Sequence, residues 1–366
     1  MKLLCLDIGS GTQDILLLDT RREAENAIQL VLPAPTVVIG GKIRAATEQA
    51  EAIYLTGETM GGGACTSALR EHLAEGLPAH ATEKAASSFN DDLAKVTSWG
   101  VKLVSPEEIP ARPGNVVIEM NDVSLDSLEE ALSQYDVPLD PDVIAVAVLE
   151  HGVAPAGESE RLFRFKFLER ALSQRPSLEA LIFKEDEIPA HFTRMQAVVR
   201  SVGGKAPAVL MDTGAAAILG SSLDAPVTDQ ESHLGINLGN SHTVAFNISG
   251  RKVHGMFEHH TSLLSLSRLE SLIGGLRAGT LRPGEVWQEG GHGNLIFEKC
   301  QSQMIAVTGP QRALLRPSSL KPHFAAPFGS MMLAGCFGLA EAVAIKFPEW
   351  QEAIRGVLET DTRKEG

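Results

Sequence analysis

The sequence predicts an α/β protein of two related domains, each built on a mixed central sheet and facing the other across a cleft. Three observations carry this. An apolar run over residues 3–6 ends in Asp7, passes through the turn Gly9-Ser10-Gly11-Thr12 and re-enters an apolar run over 15–18. A matching unit recurs in the second half, where 234–238 leads into Gly239-Asn240-Ser241-His242-Thr243 and then 244–248. Between them an apolar strand over 52–56 runs into a glycine loop, 57–63, and then a helix, an order that places ligands at strand C-terminal ends.

Taken in order, residues 2–9, 14–19 and 27–32 read as three strands joined by tight turns, and Pro33 and Pro35 end this meander. Helices follow over 42–50 and, after the glycine loop, over 66–75. The next stretch reads as a helix around 88–99, a strand at Val116–Met120 and a helix at Leu125–Ser133. Residues 142–149 are apolar almost throughout, as expected of a strand buried on both faces, and they deliver Glu150-His151-Gly152 at their end. Residues 159–175 and 186–201 read as helices. Gly203-Gly204-Lys205 is the expected boundary between an N-terminal domain with insertions (1–204) and a C-terminal domain (205–366) whose last helices are free to pack back on the first. The second half then opens with a strand over Ala208–Met211 and a small-residue helix over 214–220. Strands over 234–238, 244–248 and 251–258 follow, and only 359–366 reads as a frayed end.

Length and composition agree with two domains: 366 residues, 44% hydrophobic and 21% charged. A net charge of −14 argues against nucleic acid or an anionic membrane as partner. It leaves room for a small phosphate ligand, which a local nest of N–H groups can hold in an acidic protein. The four cysteines, Cys5, Cys65, Cys300 and Cys336, form no CxxC pair and no cluster-ligand motif. With no cationic leader and no long apolar span, they indicate a reduced, cytoplasmic protein.

The first turn is stripped of side chains so that backbone N–H groups can face an anion, and Asp7 is placed to reach a divalent cation directly or through water. A plain hairpin with a glycine-rich turn is the alternative, and the partner turn at 239–243 favours the anion cradle. Four segments in order resemble motifs of the actin-like ATPase superfamily, which includes actin, hexokinase and heat-shock chaperones. Asp7-Ile8-Gly9-Ser10-Gly11-Thr12-Gln13-Asp14 is similar to its first phosphate motif and Gly235-Ile236-Asn237-Leu238-Gly239-Asn240-Ser241-His242-Thr243 to its second. The segment starting at Met211-Asp212-Thr213-Gly214 and that starting at Leu333-Ala334-Gly335 resemble its connecting helices. Met304 to Pro310 resembles its adenosine strand and turn.

The resemblance implies two ribonuclease H-like domains with ATP and Mg²⁺ between them. Gly9, Ser10, Gly11 and Thr12 would hold one side of the phosphates and Gly239, Asn240 and Ser241 the other. Asp7 and Asn237 would hold Mg²⁺ through water, and Thr308-Gly309-Pro310 would lie against the adenine. Asn237 stands where the superfamily usually has aspartate, which removes one negative charge beside the metal. Within the superfamily the chain looks most like a branch labelled pyruvate formate-lyase activating enzyme-like. Radical activation would need three cysteines clustered on one loop, which this chain lacks.

Other residues carry chemistry of their own. Glu150 and His151, just after a central strand, are the leading general bases, with a solvated strand-end turn as the alternative. Glu58 in the glycine loop is a second candidate, although the glycines there equally suit a tight helix start. The run Glu258-His259-His260-Thr261 could join His292, with Glu258 or Glu150, in a divalent-metal site. Adjacent strand histidines cannot both face one site, and structural histidines are the alternative reading. His242 could bond phosphate or turn away. A helix N-terminus could lower the pKa of Cys65, and Arg161, Arg164 and Lys166 could grip an acidic substrate or form a solvated face. The expected function is a Mg²⁺-dependent ATPase or phosphotransferase acting on a small molecule. Alternatives are a nucleotide-responsive activator or chaperone of a partner enzyme, and a histidine/carboxylate metal-dependent hydrolase.

Overall fold

The computed structural model describes residues 1–109, 115–155 and 157–359, so the end of the tail expected to fray, 360–366, lies outside the described residues. The first sheet starts with an antiparallel meander of β1 (Lys2–Ile8), β2 (Thr12–Asp19) and β3 (Ile28–Pro33). The chain then leaves the sheet to build β4 (Ile53–Gly57), β5 (Ala79–Ala81), β6 (Lys102–Leu103) and β7 (Val116–Met120), a separate parallel sheet in the order β6-β5-β4-β7. Ile53, Leu55 and Ile118 from these strands pack with Ile39, Ile43 and Leu69 of two covering helices, so this insertion has its own core. The first of those helices is Pro35–Glu48, not 42–50 as the sequence suggested: Pro35 sits in its first turn, where its missing N–H costs nothing.

The chain returns through β8 (Val143–Val148), β9 (Ile182–Lys184) and β10 (Ala208–Met211), completing the order β3-β2-β1-β8-β10-β9. Every residue of β8 is buried, as its apolar run requires. β9 falls just before the segment read as one helix over 186–201, and the helix there is Thr193–Val202. The strand Ala208–Met211, expected to open the second half, is instead a member of the first sheet. It pairs in parallel with β8 from Ala208 against Ile144 to Met211 against Ala147, and all four of its residues are buried. The glycines at 203 and 204 serve only to reverse the chain into it, with Gly203 ending the preceding helix at φ +64°.

The second sheet repeats the first. An antiparallel meander of β11 (Ser232–Leu238), β12 (His242–Ser249) and β13 (Lys252–His260) is joined by β14 (Gly293–Ile296), β15 (Met304–Thr308) and β16 (His323–Phe324), in the order β14-β13-β12-β11-β15-β16. β3-β2-β1-β8-β10 thus corresponds to β13-β12-β11-β15-β16, with the same switch from antiparallel to parallel pairing. The fold is therefore the expected one, two ribonuclease H-like α/β domains with mixed sheets. Two helices, Thr213–Ser221 and Ala334–Lys346, cross between the sheets at backbone contact. A Cβ on Gly220 would stand 1.7 Å from the Ala334 carbonyl oxygen, and one on Gly338 2.0 Å from that of Ala216. Among the described residues no helix is long and apolar enough to cross a membrane.

Candidate functional site

The two glycine turns meet over a cavity of about 410 Å³ between the sheets. Each is closed by the same backbone bond, Gly9 N–H to the Thr12 carbonyl (2.9 Å) and Gly239 N–H to the His242 carbonyl (3.0 Å). The tips touch: the Ser241 hydroxyl donates to Ser10 Oγ at 2.8 Å, and a Cβ on Gly11 would fall 2.5 Å from the Asn240 amide nitrogen. Four helices begin at this cavity, because Gly63, Thr193, Thr213 and Ala334 all line it and each opens a helix. Their N-terminal dipoles converge on a space that therefore favours an anion.

Beneath the first turn lie two carboxylates. Asp7 and Asp14 are directly paired across the β1–β2 hairpin, and both are buried. Asp7 Oδ1 accepts from the Thr213 hydroxyl at 2.5 Å, while a Cβ on Gly335 would stand 1.9 Å from Oδ2, so only glycine lets the second connecting helix come this close. Burial lifts the Asp7 carboxyl to about 7 against the relief of the Thr213 bond, and Asp212 adds to the rise. Burial, then Asp7 itself, lifts Asp14 to about 8. Asp14 Oδ1 has no hydrogen-bond partner among the described residues. An uncompensated pair of oxygen donors of this kind fits a hard divalent cation. The second turn lacks the counterpart: Asn237 faces Val244 in the matching register.

The Thr308-Gly309-Pro310 turn lines the far side of the same cavity. Gly309 has φ +96°, and a Cβ there would stand 2.4 Å from the Leu238 carbonyl oxygen and 2.6 Å from Asn237 Oδ1. On the near side Arg194 clamps Asp122 through two bonds of 2.7 and 2.9 Å and donates a third to the Leu149 carbonyl (2.9 Å). This ties the inserted sheet to the end of β8. The first phosphate motif read from the sequence ends at Asp14 but gives it no role, and Arg194 carries no sequence signal. The seven-residue spacing of Asp7 and Asp14 around a turn was the available signal for the first.

Glu150 lines the cavity, but both of its oxygens are taken, by the Gly152 N–H (2.8 Å) and the Met195 N–H (2.9 Å). Burial raises its carboxyl against those bonds, and it holds the start of the Thr193–Val202 helix rather than standing free as a base. Glu58 is absent from the cavity wall. It pairs with Lys84 (2.6 Å) and Arg200 (2.7 Å), which hold its carboxyl below the usual range although burial opposes them. The turn at Gly57, with φ +96° and packed on Met120, aims it elsewhere. Cys65 is buried with its thiol on the Gly62 carbonyl (2.7 Å), and burial raises it to about 11, opposite to the expected activation. Arg164 is committed to ion pairs within the protein. It is buried between Asp212 (2.9 Å) and Glu258 (3.0 Å), Arg161 donates to the Gly290 and Gly291 carbonyls, and Lys166 pairs with Glu158 at the surface.

The histidines sort by strand alternation. His259 lies against the His260 carbonyl (3.1 Å) with Glu289 at 4.0 Å, away from His292, so it does not join the expected metal set. His292 instead gathers with His151 and His242, their ring nitrogens within 4.8 Å of one another, and with His260 alongside at 4.9 Å between ring centres. Burial keeps His151 and His292 neutral, with values pushed down to about 3. Glu258 lies behind them, and the Arg164 guanidinium holds its carboxyl below the usual range although burial opposes it.

A family model described as "Putative pyruvate format-lyase activating enzyme (DUF1786)" matches residues 60–314. The chain belongs to this family. Its four cysteines do not converge: Cys336 lies against the Cys5 and Asp14 carbonyls, Cys65 sits in the insertion, and Cys300 accompanies neither. A comparison with curated proteins found no match. Among solved structures the chain is similar to the ROK hexokinase of Thermus thermophilus, at 13% identity over 95% of this chain and 100% of that one (TM-score 0.33). It is also similar to the Ppx/GppA phosphatase of Aquifex aeolicus, at 8% identity over 99% of this chain and 91% of that one (TM-score 0.27).

Proposed function

We propose that the cleft binds ATP with Mg²⁺ and that the protein is an ATPase or a small-molecule phosphotransferase. One observation carries the reading: two glycine turns with the same internal hydrogen bond meet at the start of four helices, directly above an uncompensated carboxylate pair. The helix ends and turn amides favour the phosphates, and Asp7 with Asp14 would hold the cation, Asp7 through its water shell. The adenine would lie along Thr308-Gly309-Pro310, where a side chain at 309 has no room. With Asn237 on the second turn, the cation's charge partners all come from the first. When bound, the cation supplies charge neutralisation for phosphoryl transfer. Around it, Thr213 fixes Asp7, Gly335 admits the connecting helix, and Glu150 holds a third helix end toward the phosphates.

Calorimetric titration with ATP and ADP, with and without Mg²⁺, tests this. Saturable Mg²⁺-dependent binding is expected, weakened about 10–100-fold in Asp7→Ala and Asp14→Ala, the scale of one lost charged contact. Flat traces for both nucleotides in the unmodified protein would overturn the proposal.

A further inference from the structure

We infer that His151, His242 and His292 form a binding site for a divalent transition metal of the zinc class, with one coordination position open to the cleft. The three side chains come from three separate places: the loop after β8, the first residue of β12 and the loop leading into β14. Their candidate ligand atoms nevertheless lie within 4.8 Å of one another. Zinc–nitrogen bonds of ~2.0–2.1 Å would draw the set somewhat tighter, a change within reach of side-chain rotation at half-buried His242.

The surroundings argue against a merely structural cluster. His292 is 1% exposed, and neither of its ring nitrogens has a hydrogen-bond partner among the described residues. A buried imidazole left so carries the desolvation cost of two unpaired polar groups, so packing alone gives no reason for it. Glu258, fully buried, also has an unpartnered oxygen, Oε1, 3.6 Å from His292 Nδ1. This is the disposition in which a carboxylate orients a metal-bound imidazole, leaving Nε2 for the ion. Arg164 secures Glu258 from behind and ties it to Asp212.

Neutral imidazoles select zinc, cobalt or nickel over the hard Mg²⁺ that suits the oxygen donors of Asp7 and Asp14. His151 and His242 line the cavity while His292 is buried behind them, so a bound ion would face the cleft. His242 directly follows Ser241, whose hydroxyl touches the opposite turn. An ion here would sit beside the turn tips, and its free position would take water or a ligand oxygen. This inference stands whether or not the cleft binds nucleotide.

The test uses the full chain, stripped with chelator and titrated with Co²⁺ while visible absorption is read, alongside metal analysis after dialysis against Zn²⁺. One equivalent is expected, with the intense absorption of a low-coordinate nitrogen site. His242→Ala and His292→Ala should each weaken binding at least 100-fold, Glu258→Gln about 10–100-fold, and Asp7→Ala not at all. His242 is half-buried, so its variant remains informative if His292→Ala fails to fold. Absence of stoichiometric Co²⁺ and Zn²⁺ in the unmodified chain overturns the inference, as does Co²⁺ binding that survives His242→Ala or is lost in Asp7→Ala.

Discussion

Burial acts on single residues of opposite charge type with opposite sign, and this chain offers both cases. Asp7 and Asp14 are raised to about 7 and 8, so the folded protein holds their protons more tightly than the unfolded chain. Their contribution to stability is greatest at low pH and is lost as pH rises through those values, a loss that a bound cation would offset. His233, buried in β11 with its Nε2 2.9 Å from the Ser222 hydroxyl, is depressed to about 4 by burial. Between about 6.5 and about 4 the unfolded state binds the extra proton, so this histidine makes the fold less stable as pH falls through that window. The shift corresponds to a loss on the order of 3 kcal/mol. Denaturant unfolding at pH 7 and pH 4.5 should therefore show the unmodified protein losing more stability than His233→Asn by roughly that amount. Parallel losses in the two proteins would show that His233 does not titrate as its burial demands.

The crossing of Thr213–Ser221 with Ala334–Lys346 is the element-scale feature on which the cleft depends, since both helices begin at its floor. Gly220 and Gly338 let the backbones touch, and each added methyl would drive into a carbonyl of the other helix. Gly220→Ala and Gly338→Ala should each cost about 3 kcal/mol or more. The double variant should cost clearly less than the sum, because the first methyl already parts the helices. Additive losses in chemical denaturation would mean that the two glycines act separately. The first helix was legible in the sequence as a small-residue run and the second only through the superfamily resemblance, while β7, β8 and the two hairpins were legible from apolar patterns and turns, which are local signals. What was not legible depends on pairing across distance. Four apolar residues at 208–211 announce a strand but not which sheet accepts it, and only the register with β8 decides that. Likewise Glu258-His259-His260 announces alternation but not its phase. The pairing of His242 with His260 and of Thr243 with His259 turns His260 toward the cleft side and His259 away. The bonds that occupy Glu58 and Glu150 were hidden for the same reason, since their partners Lys84, Arg200 and Met195 lie 26 to 142 residues away.

At the scale of the whole molecule the duplicated halves are joined at two levels. The connecting helices join them below the cleft. At its rim Arg164, on the Glu160–Gln174 helix, bridges Asp212 at the end of a first-sheet strand to Glu258 in the second sheet. Between these levels the turns touch only through small groups, the Ser10–Ser241 bond and the approach of Gly11 to Asn240. A phosphate bound there must replace that contact and would be held by both turns at once. Binding through one turn alone would leave the other as free to open as before. Native-state amide exchange distinguishes the two cases, because local opening of each turn is read separately. Saturating ATP with Mg²⁺ should slow exchange at residues 9–12 and at residues 239–242 together, by a similar factor. At an ATP concentration that only just saturates the unmodified protein, the protection should fall at both turns together in Asp7→Ala, although that change touches only the first. Protection confined to residues 9–12 would reduce the paired turns to a single anion site and remove the reason for reading the duplicated halves as one clamp.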